Sequence, residues 1–278
     1  MDLWFSETYE SDLRMAWRVK EVLYHERSKY QDILILDTFY HGKMLVLDGC
    51  VMTTERDEFV YHELITHPAL LALPKPKSVC VIGGGDGGTV REVLKHDTVE
   101  RVVLAEIDGD VVDVCRKYFP AHTCGLNDPR VDIQIGDGFD YLKSHAGEFD
   151  AVLSDSTDPI GPGEALFNPE YFHLCKAALK PGGCLVTQAE TMWAKNRTIP
   201  KTREHLCKQF AQVFWFGGPV PSYPNGFWSF LIASDMPDPR KVADPNRQST
   251  ISKTTQYYTP ELHSGLFSSP KFLEIHER

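Results

Sequence analysis

The 278-residue chain has no C-x-x-C pair, no excess of basic residues and no long apolar run, and each absence removes a class of protein. Its seven cysteines (Cys50, Cys80, Cys115, Cys124, Cys175, Cys184 and Cys207) are odd in number and scattered, which argues against a disulfide framework or a structural zinc site. We read them as free thiols. Lys and Arg number 29 against 39 Asp and Glu, a formal charge of -10. That sign is wrong for a nucleic-acid surface and favourable for attracting a polycation. No segment approaches the ~18 consecutive apolar residues of a membrane span. The opening MDLWFSETYE lacks both the basic cluster and the apolar run of a secretory signal. A soluble cytoplasmic protein without membrane or nucleic-acid partners is the expectation. With 42% hydrophobic and 24% charged residues, the chain has enough apolar content to fold.

The first ~55 residues hold short β-prone runs, Asp32 to Leu36 and Lys43 to Leu47, with His41-Gly42 and Asp48-Gly49 as turn signals. They predict a small antiparallel sheet. From Asp57 the apolar spacing becomes helical until Pro74-Lys75-Pro76 stops it, and a second domain begins about there. Strands at Val79 to Ile82, Val102 to Ala105, Val131 to Ile135, Ala151 to Leu153 and Cys184 to Gln188 then alternate with helical stretches. This alternation predicts a mostly parallel sheet covered on both faces, with ligands at the strand carboxyl ends. A helix near Lys201 to Phe210 and late strands at Val213 to Phe216 and Phe227 to Ala233 complete it. The polar stretch Met236 to Lys253 reads as a surface excursion.

The strand at Val79 runs into Gly83-Gly84-Gly85-Asp86-Gly87-Gly88, where Gly83, Gly85 and Gly88 satisfy G-x-G-x-x-G. Glu106 ends the next strand, 18 residues after Gly88, where a carboxylate can take both ribose hydroxyls of a nucleoside. Asp86 selects among cofactors. A carboxylate inside the turn repels a pyrophosphate, so nicotinamide dinucleotides are disfavoured. It suits an S-adenosyl compound whose side chain ends in an ammonium, and it discriminates against one that keeps its own carboxylate. Asp137, in Gly136-Asp137-Gly138 after the next strand, is placed to accept from an adenine amino group. Both aspartates also fit a plain helix-capping role.

The strand from Phe149 ends in Asp155-Ser156-Thr157-Asp158-Pro159. Two carboxylates three positions apart repel each other unless a cation is shared. A substrate ammonium serves; a divalent metal is the weaker alternative, since no histidine stands at suitable spacing. The loop Pro159 to Leu166 reads as a flap able to order over substrate.

GGGDGGTVREVLKH, the EID at Glu106, GDGFDYL at Gly136, SDSTDPIGPGEALF at Ser154 and TTERDEFVYHE at Thr53 together resemble the spermidine synthase family. The likeness runs from WFSETY to YYTPELHSGLF, nearly the whole chain. It implies an α/β fold, a Rossmann-like methyltransferase-type sheet with a small N-terminal antiparallel β domain, divided as residues 1–55 and 56–278. It also implies a homodimer or homotetramer, no metal and no tightly bound cofactor. Decarboxylated S-adenosylmethionine would be the aminopropyl donor and putrescine the acceptor. By matching motifs, Gln31 contacts the donor, Asp86 the aminopropyl ammonium, Glu106 the ribose, and Asp137 with Gly138 the adenine. Asp155 handles the attacking amine as the catalytic residue, Asp158 and Tyr223 contact the diamine, and Tyr61, His62 and Gln188 line the substrate channel. Trp228 stands where that family often has a smaller aliphatic residue, and AETMW at Ala189 is locally variable; both bear on acceptor length. Trp193 and Trp215 are either channel rings or core aromatics.

Two signals lead nowhere. His62 and His67 mimic a zinc-protease helix, but five residues apart, near ~500° of helical rotation, they do not share a face. Ser154 lacks the glycine-flanked elbow of a serine hydrolase. The rival readings are an S-adenosylmethionine-dependent amine N-methyltransferase on the same architecture and a noncatalytic polyamine or nucleoside sensor.

Overall fold

The computed structural model describes residues 2–9, 11–158, 161–195, 198–236 and 238–273. The expected flap therefore begins outside the described residues, at Pro159 and Ile160.

Five strands form the N-terminal sheet in chain order: β1 (Leu3–Tyr9), β2 (Leu13–Arg27), β3 (Asp32–Thr38), β4 (Gly42–Leu47) and β5 (Cys50–Thr54), each antiparallel to the next. Period-two alternation sorts its faces. Ile33, Ile35, Leu45 and Leu47 point one way and pack on Val111, Val114, Cys115 and Phe119, while Leu36, Met44 and Val46 point the other way onto Trp17 and Val19. The first face fastens this sheet to helix α3 (Gly109–Tyr118) of the larger unit.

Helix α1 (Glu58–Ala72) follows and is buried on nearly every side. Beyond it come β6 (Ser78–Gly83), α2 (Gly88–Leu94), β7 (Arg101–Glu106), α3, β8 (Val131–Ile135), α4 (Gly138–Lys143), β9 (Phe149–Asp155), α5 (Pro169–Ala178), β10 (Leu179–Gln188), α6 (Thr198–Cys207), β11 (Gln212–Gly218), β12 (Trp228–Ser234), α7 (Pro245–Ile251) and α8 (Pro260–Leu266). The strands order as β11-β12-β10-β9-β6-β7-β8, parallel from β10 to β8, with β12 antiparallel to both its neighbours. Helices cover both faces, so the strand interiors are continuous apolar runs. Along β6, Val79 and Val81 pack with α1 and α2, and Cys80 and Ile82 pack with Tyr171, Phe172 and Cys175 of α5.

The structure corrects the reading of residues 236–253 as wholly a surface excursion. Helix α7 lies there, capped by Asp244, and it buries Ile251 and Arg247. The Arg247 guanidinium donates to the carbonyls of Leu70 and Pro74, satisfying the end of α1 where Pro74, having no N–H, prevents continuation. A polar sequence carried this element because its anchor is an arginine rather than an apolar stripe.

Candidate active site

Chain order reverses between β6 and β9, with β7 and β8 beyond one and β10 beyond the other. A crevice forms where an open α/β sheet switches direction, outside the strand carboxyl ends. Here Gly83 and Asp155 are register partners at its floor. A cavity of about 280 Å³ opens above them and is roofed by the β4–β5 turn of the N-terminal sheet.

The glycine turn lets main chain approach the reacting region. Gly83 and Gly84 have φ of +75° and +72°, and a Cβ on Gly84 would stand 2.7 Å from Asp155 Oδ2. Asp86 follows, its Oδ1 accepting the Gly88 N–H at 2.7 Å and facing His62 Nε2 at 3.4 Å. Burial pushes the Asp86 carboxyl up, but the imidazolium of His62 outweighs it and holds the group below the usual carboxylate range. Glu106 accepts the N–H groups of Gly85 and Asp108 at 3.1 and 2.9 Å, and burial raises its carboxyl to about 7. Asp137 caps α4 through the Phe139 N–H at 2.8 Å, with Gly138 buried beside it, and both line the cavity. The capping role and the wall position coexist. Gln31 donates to Asp108 Oδ2 at 2.9 Å while facing the same space.

At the other end, Asp155 accepts the Thr89 hydroxyl at 2.7 Å. Burial, then the Asp86 charge, raises its carboxyl above the ordinary aspartate value. Asp158 is pushed up to about 8 by burial, reinforced by Glu190 and Glu7. The Gln188 amide donates to the Thr157 carbonyl at 3.2 Å and, in weaker reach, approaches Asp158 Oδ1 at 3.5 Å. Tyr61, Tyr223 and Trp228 form an aromatic wall, with ring centroids 5.8 Å apart for the first two and 4.8 Å for the second two. The Tyr223 hydroxyl donates to the Met52 carbonyl, and Asp57 accepts the Ser222 N–H at 2.7 Å, so the domain junction fixes the turn that carries Tyr223.

Most residues singled out in the sequence thus meet around one cavity. His62 does not. It lies behind Asp86, nearly solvent-free, and is not among the cavity-lining residues. Neither Trp193 nor Trp215 lines the cavity: Trp193 is 58% exposed and stacks on Phe272, and Trp215 is a core ring beside Phe227. Sequence reasoning missed Glu7, Cys50 and Met52, which the N-terminal sheet contributes. Glu7 shares the face of β1 that carries Phe5, and a carboxylate at an inward alternation position was the available signal. Its burial raises it to about 7.

The lining carries seven carboxylates, Glu7, Asp48, Asp86, Glu106, Asp137, Asp155 and Asp158, and among the described residues no Lys, Arg or His. Among those residues no group of three or more His, Cys, Asp and Glu side chains is gathered as for a metal ion. The wall is chemically suited to an organic polycation.

The family model of the spermine/spermidine synthase domain matches residues 58–242, and that of the spermidine synthase tetramerisation domain matches residues 3–55. The chain belongs to the spermine/spermidine synthase family. Two relatives in that family are polyamine aminopropyltransferases of Clostridium kluyveri, 45% identical, and of Thermoanaerobacter sp. strain X514, 46% identical. Each alignment spans 99% of this chain and 98% of the relative. Among solved members, a spermidine synthase in complex with the transition-state analogue AdoDATO superposes with a TM-score of 0.95 at 38% identity, over 98% of this chain and 94% of that one. The spermidine synthase from Thermotoga maritima gives 0.92 at 37%, over 98% and 93%.

Proposed function

We propose that this member of the family is a spermidine synthase, transferring the aminopropyl group of decarboxylated S-adenosylmethionine to putrescine to give spermidine and 5′-methylthioadenosine. The observation that carries the reading is the wall of seven carboxylates with no Lys, Arg or His among the described lining residues, a setting that suits a diamine and a sulfonium donor together. The proposed organisation is a β domain over residues 1–55 and a catalytic domain over 56–278, in a cytoplasmic homodimer or homotetramer. The match to a tetramerisation domain supports assembly into an oligomer.

On this reading Gln31, Gly83, Gly85, Glu106, Asp137 and Gly138 receive the nucleoside, and Asp86 pairs with the aminopropyl ammonium. Tyr61, Asp158, Gln188 and Tyr223 receive the diamine. The neutral amine nitrogen attacks the methylene carbon beside the sulfonium. The new C–N bond forms as the C–S bond breaks, sulfur keeps the electron pair as a neutral thioether, and the proton lost by nitrogen passes to Asp155. An alkylamine near ~10 and an ordinary aspartate near ~3.9 are poorly matched for that transfer. Burial narrows the gap from the Asp155 side, and the sulfonium charge lowers the amine from the other. In-line placement of the two reactants supplies the remainder, with no covalent enzyme intermediate.

Incubation of the purified protein with putrescine and either decarboxylated or intact S-adenosylmethionine, with products identified by mass spectrometry, tests the reading. Spermidine plus 5′-methylthioadenosine from the decarboxylated donor alone is expected. N-Methylputrescine from the intact donor would overturn it in favour of the methyltransferase rival, and binding of both substrates without any product would overturn it in favour of a sensor.

A further inference from the structure

The Asp155 carboxylate lines the cavity but is held from the side away from it. Its Oδ2 lies against Gly84, where a Cβ would come within 2.7 Å, and its carbonyl oxygen lies against Gly83, where a Cβ would come within 2.2 Å. Two residues without side chains thus leave the slot that this aspartate fills. The donor in that slot is Thr89, in the first turn of α2, which is 0% exposed and absent from the cavity lining. A hydroxyl at the start of a helix commonly bonds within its own segment. The Thr89 hydroxyl instead donates to Asp155 Oδ2 at 2.7 Å, from 66 residues away in the chain.

We infer that Thr89 is a positioning residue for the aminopropyl transfer: its hydroxyl fills Asp155 Oδ2, fixes the plane of the carboxylate and leaves Oδ1 to take the proton of the attacking amine. The inference rests on the proposed function and adds to it a residue that never meets substrate. A hydroxyl has one proton to give, and the oxygen that accepts it becomes the poorer base of the two. In the transfer the amine N–H bond breaks as an O–H bond forms at Oδ1, the C–N bond forms as the C–S bond breaks, and Thr89 keeps its own proton. The same bond favours the ionised carboxylate. The titratable groups facing Asp155 are Asp86 from the glycine turn, Glu106 from the end of β7, His62 and Tyr61 from α1, and Tyr223 from the turn before β12. Burial and the Asp86 charge push the carboxyl up, and His62, Thr89 and Tyr61 oppose them. Of the three opposing residues, Thr89 alone can lose its contribution without changing a charge or the cavity wall.

Thr89→Val removes the hydroxyl and keeps the shape. With decarboxylated S-adenosylmethionine and putrescine, kcat at pH 7 is expected to fall about tenfold, as for one lost hydrogen bond to a charged group, while KM for either substrate changes by less than about threefold. The acidic limb of the kcat profile should move up by about one pH unit, so that the deficit shrinks toward pH 9. Thr89→Ser restores the donor and should bring kcat back to within about twofold of wild type and the limb back to its place. Thr89→Ala should repeat the Thr89→Val result through a different packing change, which guards against a folding defect in either. Isotope-edited infrared titration of the unliganded protein, with Asp155→Asn identifying the band, reads the carboxyl without turnover and should show it titrating higher in Thr89→Val than in wild type. An unshifted carboxyl, or a loss of kcat that is constant with pH and that Thr89→Ser does not restore, would overturn the inference. If the wild-type protein makes no spermidine while the infrared shift is present, the functional reading is what fails, so the two failures are distinguishable.

Discussion

The two ends of the cavity are both acidic, yet they balance their charge from different sources. At the donor end, Asp86 has a protein cation behind it, His62, in turn tied to Glu58 and Arg91. At the proposed acceptor end, Asp155, Asp158 and Glu7 line the cavity, and burial raises all three carboxyls. A carboxylate neutralised by its own protein is ready at any pH the enzyme meets. One without such a partner is shifted by burial toward its protonated form, Asp158 most of all at about 8. On the proposed function, diamine binding is expected to be coupled to proton release at the end that holds Asp158, and donor binding at the Asp86 end is not.

Removing Asp155 should break the comparison most severely. Asp155→Asn deletes the proton acceptor while keeping the shape and the Thr89 contact, and kcat should fall about 10²- to 10⁴-fold, measured as methylthioadenosine formed at saturating substrates. Near-normal turnover would show that the proton leaves by another route. Asp158→Ala should act mainly on binding. Loss of one charge-assisted contact, ~1.5–3 kcal/mol, predicts a rise of about 10- to 100-fold in the putrescine KM with a smaller change in kcat. Equal loss in both parameters would place Asp158 in the chemistry instead.

The smallest effect concerns the unliganded protein. The Asp158 carboxyl is raised in the folded state from 3.8 to about 8, so between those values the folded state binds a proton that the unfolded state lacks. Stability then declines as pH rises through that window, and the penalty is fully present above about 8. Asp158→Asn should accordingly melt higher than wild type at pH 8 to 9, by about 1 kcal/mol or ~2–4 °C, with the gain shrinking toward pH 4. A gain that is constant with pH would tie it to packing rather than to charge.

Much of the site was legible because a parallel sheet delivers strand ends to one rim. Gly83, Glu106, Asp137 and Asp155 each follow an apolar run, and that position alone predicts a place at the crevice. What the strand pattern does not encode is which residue of a helix faces which neighbour. The Glu58 and His62 spacing of one turn is visible in the sequence, but the arginine that also holds Glu58 sits 33 residues away on α2. The sequence places His62 in the channel, whereas the structure sets it against Asp86 outside the cavity lining. Glu7 was hidden for a similar reason, since only docking of the β1–β5 sheet over the α/β unit turns its inward face into a cavity wall. The fold of the late chain was obscured where Arg247 does the work usually given to apolar residues.

The coupling of diamine binding to proton release is tested most directly by counting protons. Putrescine titrated into the enzyme saturated with 5′-methylthioadenosine, by calorimetry at pH 7 in buffers of different ionisation enthalpy, should release protons, and Asp158→Asn should reduce that release. No release from the wild-type protein, or an undiminished release from the variant, would contradict it.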